Sequence, residues 1–235
     1  MTKILALLRG KNILAFCVMF LVMIGIINGI HLSAILLGLK LTSWQSFLWT
    51  YLLQNGVLLL LVYFWFYRRF PAEREQISWS GSGLSSIIKY VLLLFASYFA
   101  FVILLNVIKN IFHLDIIPGM GEQISLIEIV GMGPGLWIAF FAAVIIAPIV
   151  EEYVFRGWGM ICLPLASRPF LSIMINGVLF ALFHFELSVI IPLIFLGCML
   201  AWTRYKSGSI LPGIVFHLIN NSLALYVDYV NHLPS

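Results

Sequence analysis

Charged residues are scarce in this 235-residue chain, where Asp, Glu, Lys and Arg together make up only 9% of the residues. A soluble domain carries about 25% of these residues, so the composition excludes a water-soluble enzyme, a disordered chain and a nucleic-acid-binding protein. Hydrophobic residues make up 63% of the chain, and its mean hydropathy is +1.09. Because the apolar runs are continuous rather than alternating, we predict an all-α, polytopic membrane protein rather than a β-barrel.

Cysteine is also scarce. Cys17, Cys162 and Cys198 stand singly in apolar stretches, without a CxxC pair or a metal-ligand spacing. This pattern predicts small apolar core residues and no disulfide. The HExxH motif of many zinc proteases is missing as well.

Seven apolar stretches are predicted to span the membrane as a helical bundle. They are Ile13–Leu39, Trp44–Tyr67, Tyr90–Ile108, Gly135–Trp158, Phe170–Phe185, Leu187–Thr203 and Ile210–Val230. The stretch from Ile116 to Val130 contains two glutamates, and we predict a short interfacial or re-entrant helix there, with an eighth span as the alternative. We find no internal repeat, so residues 1–235 are predicted to form one membrane domain, with residues 135–230 as its motif-bearing part.

The basic residues predict the orientation of these spans. If the N-terminus is cytoplasmic, eleven of the 13 lysines and arginines lie on the cytoplasmic side, and only Lys40 and Lys109 lie outside. Membrane proteins concentrate Lys and Arg in their cytoplasmic loops, so we predict a cytoplasmic N-terminus. The net charge of +4 therefore does not indicate a nucleic-acid partner.

Three ionisable residues interrupt the fourth predicted span: Glu151, Glu152 and Arg156. Each costs about 2.5–3.5 kcal/mol at the centre of a membrane helix, so such residues usually face an interior site. Glu152 and Arg156 are four residues apart and can pair on one helix face. Glu151 is rotated by about 100° from Glu152, so we expect its partner on another helix.

Other spans supply candidate partners. His184 lies in the fifth predicted span, and His217 lies in the seventh, with Asn221 one turn further. A carboxylate and an imidazole can together deprotonate a water molecule, with Glu151 as the general base. His217 and Asn221 offer N–H donors for an oxyanion, so the set suits amide hydrolysis by an activated water. The same residue types also bind zinc or another divalent metal, which stays an alternative.

The three motifs resemble those of a known family. Glu151–Arg156 (EEYVFR), Phe180–His184 (FALFH) and His217–Asn221 (HLINN) follow one another on separate predicted spans. In this order they resemble the CAAX-protease and bacteriocin-processing family (CPBP, or Abi) of intramembrane endopeptidases. The resemblance covers roughly the last hundred residues; the first three predicted spans resemble the family only in being helical.

The resemblance implies a role for each motif residue. Glu151 would be the general base, and His184 would help it to activate the water. Glu152 and Arg156 would form a supporting pair, with Glu152 also helping to hold the water. His217 and Asn221 would stabilise the oxyanion, and Phe180 would be a packing residue rather than a chemical one.

The resemblance also implies partners and a location. The substrate would be a protein or peptide at the membrane, either a prenylated CAAX protein or a leader peptide, and the location a bacterial cell membrane. Both a metalloprotease and a metal-free glutamate protease fit the resemblance, and the missing HExxH favours the metal-free mechanism. One alternative is a non-catalytic bacteriocin-immunity or scaffold protein of the same fold. A small transporter using Glu151 and His184 is disfavoured, because transporters of this kind contain inverted repeats.

Overall fold

The computed structural model describes most of the chain. The described residues are 14, 17–26, 28–29, 32–33, 35–36, 43–68, 77, 83–113, 119, 121, 123–163, 168–184 and 186–233. They contain helices and connecting turns but no strand, which confirms the predicted all-α class. Lys40, part of the first predicted span and part of the stretch from Ile116 to Val130 lie outside the described residues, and the described end of that stretch forms a short helix over Leu126–Val130.

The helices follow one another along the chain without an intervening sheet. In chain order they are α1 (Cys17–Ile26), α2 (Ser43–Val62, continued by a π-helical turn over Tyr63–Tyr67), α3 (Leu84–Ile111), α4 (Leu126–Val130), α5 (Pro134–Cys162), α6 (Pro169–Phe183), α7 (Leu187–Ser207) and α8 (Leu211–Asn231). Contacts divide the chain into two units. Unit 1 comprises residues 1–76, 125–154 and 217–235, and unit 2 comprises residues 77–124 and 155–216.

Four of the described helices are long and apolar enough to cross a membrane. They are Trp44–Tyr67, Leu84–Ile111, Pro134–Cys162 and Leu187–Ser207. Helix α6 has 15 residues, fewer than the about 20 that a span needs, and α8 carries the polar residues of the third motif. The chain is therefore an integral membrane protein, whereas seven spans and a cytoplasmic N-terminus remain predictions.

Unit 1 is held together by an apolar cluster between α2, α4, α5 and α8. Its buried members are Phe47, Ile127, Val130, Ala139, Ala142, Ala143, Val144 and Leu225. Three of these residues are alanines of α5, and such small side chains let neighbouring helices approach closely, as is common between membrane helices. The cluster thus fixes the α5 turn that precedes the two glutamates.

Asp228 of α8 caps the short helix α4. Its carboxylate accepts hydrogen bonds from the Ile127 backbone N–H at 3.0 Å and from the Ser125 hydroxyl at 2.7 Å. The Ser125 oxygen in turn accepts a hydrogen bond from the backbone N–H of Glu128 at 3.0 Å. These bonds satisfy N–H groups that a helix N-terminus leaves without intrahelical partners. They also attach the last turns of α8 to the segment before α5.

His232 lies next to this cap. Its Nδ1 is 2.8 Å from the Asp228 carbonyl oxygen, which can only accept, so the Nδ1–H donates. The hydrogen bond to the Asp228 backbone raises the pKa of His232 above its ordinary 6.5, and the negative charges of Asp228 and Glu128 raise it further. Its Nε2 is 3.8 Å from the Glu128 carboxylate.

We therefore expect a pH-dependent contribution to stability. Because the folded-state pKa of His232 is raised, its contribution is complete below 6.5 and is lost as the pH rises through the folded-state value. The thermal midpoint of the wild type in detergent should fall from about pH 6 to about pH 8 more steeply than that of His232→Gln. His113→Gln, at an exposed turn after α3, serves as the control and should keep the wild-type slope. Equal slopes for wild type and His232→Gln would contradict the assignment.

Unit 2 is organised by a close contact between α6 and α7. A Cβ atom added at Gly177 would lie 2.7 Å from the Cys198 backbone nitrogen, and one added at Gly197 would lie 2.8 Å from Gly177 Cα. Real Cβ atoms essentially never approach so closely, so the two helices contact each other backbone to backbone. The stacked rings of Phe101 and Phe195, 3.9 Å apart, join α3 to α7.

Candidate active site

Helix α5 does not keep one geometry along its length. It is π-helical over Phe140–Ile146, α-helical over Ala147–Glu151 and π-helical again over Glu152–Gly159. Pro148 lies in the first turn of the central α-helical piece, which directly continues the preceding π-helical stretch, and it has no N–H to donate. Short π-helical turns are frequent at functional sites, and here one of them begins at Glu152.

Pro148 explains why Asn221 lies where it does. The Ala147 N–H donates to the Ala142 oxygen, five residues earlier. The next bond in this π register would join residue 148 to the Ala143 oxygen, but proline has no N–H to donate. The Asn221 side chain of α8 donates to the Ala143 oxygen instead, at 2.9 Å. Asn221 therefore replaces a backbone donor, in addition to the oxyanion role predicted for it.

His217 lies between the two glutamates of unit 1. Its Nε2 is 3.8 Å from a Glu151 carboxylate oxygen, and its Nδ1 is 3.5 Å from a Glu152 oxygen. All three residues are buried, with Glu152 fully so. The imidazole ring thus lies within reach of both carboxylates. The sequence named His217 as a candidate partner of Glu151, whereas it did not predict the contact of His217 with Glu152.

The same geometry tests whether these residues fit a metal ion. The two ring nitrogens of His217 face different carboxylates. An ion such as zinc binds one ring nitrogen at about 2.0–2.1 Å, so it cannot use both nitrogens of one ring. Among the residues that the structure describes, no group of three or more His, Cys, Asp and Glu side chains is arranged to hold a metal. The three side chains as placed do not fit a single ion, and we derive no step through one.

Arg156, four residues after Glu152, lies in unit 2. Its side chain is fully buried, and its Nη2 donates to the Gly197 oxygen at 3.1 Å. The guanidinium carbon lies 4.2 Å from the centre of the Phe180 ring, within range of a cation–π interaction. Phe180 thus packs against a buried charged group.

His184 also belongs to unit 2, at the end of α6. Its Nδ1 is 2.9 Å from the Phe180 carbonyl oxygen, so the proton on this side of the ring sits on Nδ1. In the neutral ring, Nε2 is then the nitrogen that can accept a proton. The ring also lies 4.6 Å from the Phe180 ring, centre to centre. This tautomer suits a general base.

The structure assigns the predicted site residues to both units. Unit 1 contains Glu151, Glu152, His217 and Asn221, of which the first three lie together, and unit 2 contains the two remaining residues, Arg156 and His184. The sequence did not single out Asn176, whose side chain is fully buried and donates to the Phe155 oxygen at 2.7 Å. Its only sequence signal is a polar residue in the apolar run of α6.

Apolar helices long enough to cross a membrane, together with a buried Glu–His–Glu cluster, define a class: integral membrane proteins with a polar centre. Residues 133–223 match the family model described as Type II CAAX prenyl endopeptidase Rce1-like. The matched segment contains all three motifs, and the match confirms the resemblance to the CPBP family. Comparison with curated proteins and with solved structures gives no significant match.

The hydrogen bond of Asn221 can be tested by its effect on stability. Asn221→Ala removes the donor to the Ala143 oxygen, and an unsatisfied buried carbonyl costs about 1–3 kcal/mol. At about 2–4 °C per kcal/mol for a chain of this size, the thermal midpoint should fall by several degrees. The neighbouring Ser222→Ala is the matched control, because among the described residues that hydroxyl bonds within its own helix, to the Leu218 oxygen. Equal midpoints for the two variants would contradict this role of Asn221.

Proposed function

We propose that this protein is an intramembrane endopeptidase that hydrolyses a peptide bond with a water activated by Glu151. The observation that carries the proposal is the buried cluster of Glu151, Glu152 and His217 inside a segment that matches a family of membrane endopeptidases. Buried carboxylates are costly in a membrane protein, so their presence favours a chemical role over simple packing. No specific observation favours the immunity, scaffold or transporter alternatives.

In the proposed reaction, Glu151 accepts a proton from a water molecule as the resulting hydroxide adds to the carbon of the scissile amide. The oxygen of that amide becomes an oxyanion, which N–H donors stabilise. When the C–N bond breaks, Glu151 returns the proton to the leaving amine. His217 lies between the two carboxylates, with its ring nitrogens 3.8 Å from a Glu151 oxygen and 3.5 Å from a Glu152 oxygen.

The remaining roles come from the family resemblance. His184 helps Glu151 to activate the water, and its neutral tautomer, with Nε2 as the accepting nitrogen, is compatible with that role. Arg156 supports Glu152, which also helps to hold the water. The resemblance assigns the oxyanion contacts to His217 and Asn221, and we propose Asn221 as the main donor because both ring nitrogens of His217 face carboxylates. Because Asn221 Nδ2 carries two protons, its bond to the Ala143 oxygen leaves a second N–H for this role.

The topology is part of the proposal. One membrane domain would cross the bilayer seven times with a cytoplasmic N-terminus, in agreement with the distribution of basic residues. We propose a bacterial cell membrane as its location. We favour a mechanism without a cofactor. The alternative is a mechanism that needs zinc or another divalent ion, and a chelator tests it.

An apolar groove in unit 1 supports a prenylated substrate. It has a volume of about 320 Å³ and is lined by Leu59, Leu60, Val62, Tyr63, Tyr67 and Tyr153. Tyr153 directly follows Glu152 in the chain, so the groove begins one residue from the proposed site. An apolar groove of this kind suits an isoprenoid chain better than a polar leader peptide. We therefore favour a prenylated CAAX protein as the substrate, with a leader peptide as the alternative.

The central test is cleavage of membrane-bound reporter peptides by the purified protein in nanodiscs. A general base contributes about 10²–10⁴-fold, so Glu151→Gln should lower kcat by at least about 100-fold. His184→Ala should also lower kcat. Glu128→Gln, at an exposed carboxylate outside the site, is the matched control and should cleave like the wild type. Cleavage that persists in Glu151→Gln would refute the mechanism.

A chelator decides between the two mechanisms in the same assay. Wild-type cleavage that is unchanged by a strong chelator supports the metal-free glutamate mechanism. Loss of cleavage with chelator, followed by recovery with zinc, would replace it with a metalloprotease. If the wild type cleaves no reporter and the Glu151→Gln variant keeps the cellular effect of the wild type, a non-catalytic binding protein is favoured.

The groove gives a prediction about the substrate. Leu59→Trp places a larger side chain in the groove and should raise KM for a prenylated reporter by about tenfold, in the range that apolar pocket contacts are worth. KM for the same peptide without the prenyl group should stay unchanged. Leu52→Trp, at an exposed position two turns earlier on α2, is the matched control. Equal changes for both reporters would contradict recognition of the prenyl group at this groove.

A further inference from the structure

Two successive backbone carbonyls of α5 accept hydrogen bonds from side chains of other helices. Within unit 2, Asn176 Nδ2 of α6 donates to the Phe155 oxygen at 2.7 Å, and Arg204 Nε of α7 donates to the Arg156 oxygen at 3.3 Å. Both carbonyls belong to the π-helical stretch Glu152–Gly159. Side-chain donors on carbonyls of such a stretch hold its local register, which the backbone alone would not fix so firmly.

The side chain of Arg156 is held by the same two helices. Its guanidinium bonds to the Gly197 oxygen of α7 and lies over the ring of Phe180 in α6. Asn176 and Phe180 are four residues apart in α6 and therefore share one face. Asn176 thus bonds to the backbone of the residue before Arg156, and Phe180, one turn further along α6, contacts the guanidinium of Arg156.

The residues that make these contacts are buried away from water. Arg156, Asn176 and Phe180 are all fully buried. A buried guanidinium is tolerated only where its position and its partners are fixed, because its charge has lost the solvation of water. The Oδ1 of Asn176 has no hydrogen-bond partner among the described residues, so the amide acts there as a donor to Phe155. That use distinguishes asparagine from an apolar residue of similar size.

We infer that Asn176 is a positioning residue for Arg156, and that Arg204 assists it from α7. This inference rests on the proposed function, in which Arg156 supports Glu152. Asn176 does not touch substrate or reacting atoms; it holds the Phe155 carbonyl and thereby sets the direction in which the Arg156 side chain leaves α5. Loss of the bond lets the π-helical stretch relax and moves the guanidinium from its place.

The test uses the purified full-length protein in nanodiscs and three variants. Asn176→Ala removes the donor, and Asn176→Asp keeps the shape but can donate only when its carboxyl is protonated. Ser172→Ala is the matched control, because Ser172 lies one turn earlier on the same face of α6 and is fully buried. Cleavage is measured as kcat and KM from about pH 8 to about pH 5, and each variant is expressed as a ratio to the wild type.

For a positioning role we expect kcat of Asn176→Ala to fall by about tenfold to about 100-fold while KM stays within about twofold. The kcat of Asn176→Asp should be equally low near pH 8 and should recover towards the wild type as the pH is lowered. Ser172→Ala should retain the wild-type kcat. Because an ionised Asp at this buried position can also destabilise the fold, the thermal midpoint is measured at each pH, and a kcat that only follows the midpoint would overturn the inference.

Other outcomes overturn the inference separately from the proposed function. If Glu151→Gln is inactive while both Asn176 variants keep the wild-type kcat at every pH, the inference fails and the proposed function stands. If the wild type cleaves no reporter, the proposed function fails, and the inference is then tested by thermal stability alone. In that case, Asn176→Ala and Arg156→Ala should lower the thermal midpoint non-additively, and additive shifts would refute the coupling.

Discussion

A carbonyl that loses its helical partner inside a bilayer has no water from which to recover a hydrogen bond, and this constraint governs α5. Pro148 and the two π-helical stretches leave carbonyls of this helix to be satisfied by other groups. The Asn221 side chain donates to the Ala143 oxygen in unit 1, and the Asn176 side chain donates to the Phe155 oxygen in unit 2. The irregular helix that carries the two glutamates therefore requires an asparagine on each of two other helices.

The charged groups obey the same rule. Glu151 and Glu152 share His217 in unit 1, and Arg156 has a carbonyl and an aromatic ring in unit 2. In hydrocarbon an isolated charge would cost several kcal/mol, so these contacts are what make the residues tolerable. The buried charged residues of this protein thus depend on the helices packed around them. Loss of a residue that contacts them is expected to affect both stability and activity.

Composition alone was enough to predict an all-α membrane protein, because apolar runs of this length fit no soluble fold. The three motifs also identified the residues around which the buried contacts form, since ionisable groups in apolar helices are conspicuous. The number of spans was not settled, because α6 is short and α8 is polar in its middle. The π-helical stretches and the role of Asn176 were missed, because neither follows from a local pattern: both depend on which helices become neighbours.

The π-helical geometry of α5 makes the direction of the two glutamates insensitive to one extra residue before them. Each π turn accommodates one residue more than an α-helical turn would, without breaking the helix. Removing a single residue between Ala139 and Glu151 would therefore let the segment become a regular α-helix while the residues beyond the deletion face nearly the same way. The carbonyls within the segment would instead exchange hydrogen-bond partners, including the Ala143 oxygen that now accepts from Asn221. The extra residue thus changes the hydrogen bonding of the helix and not the direction of the glutamates.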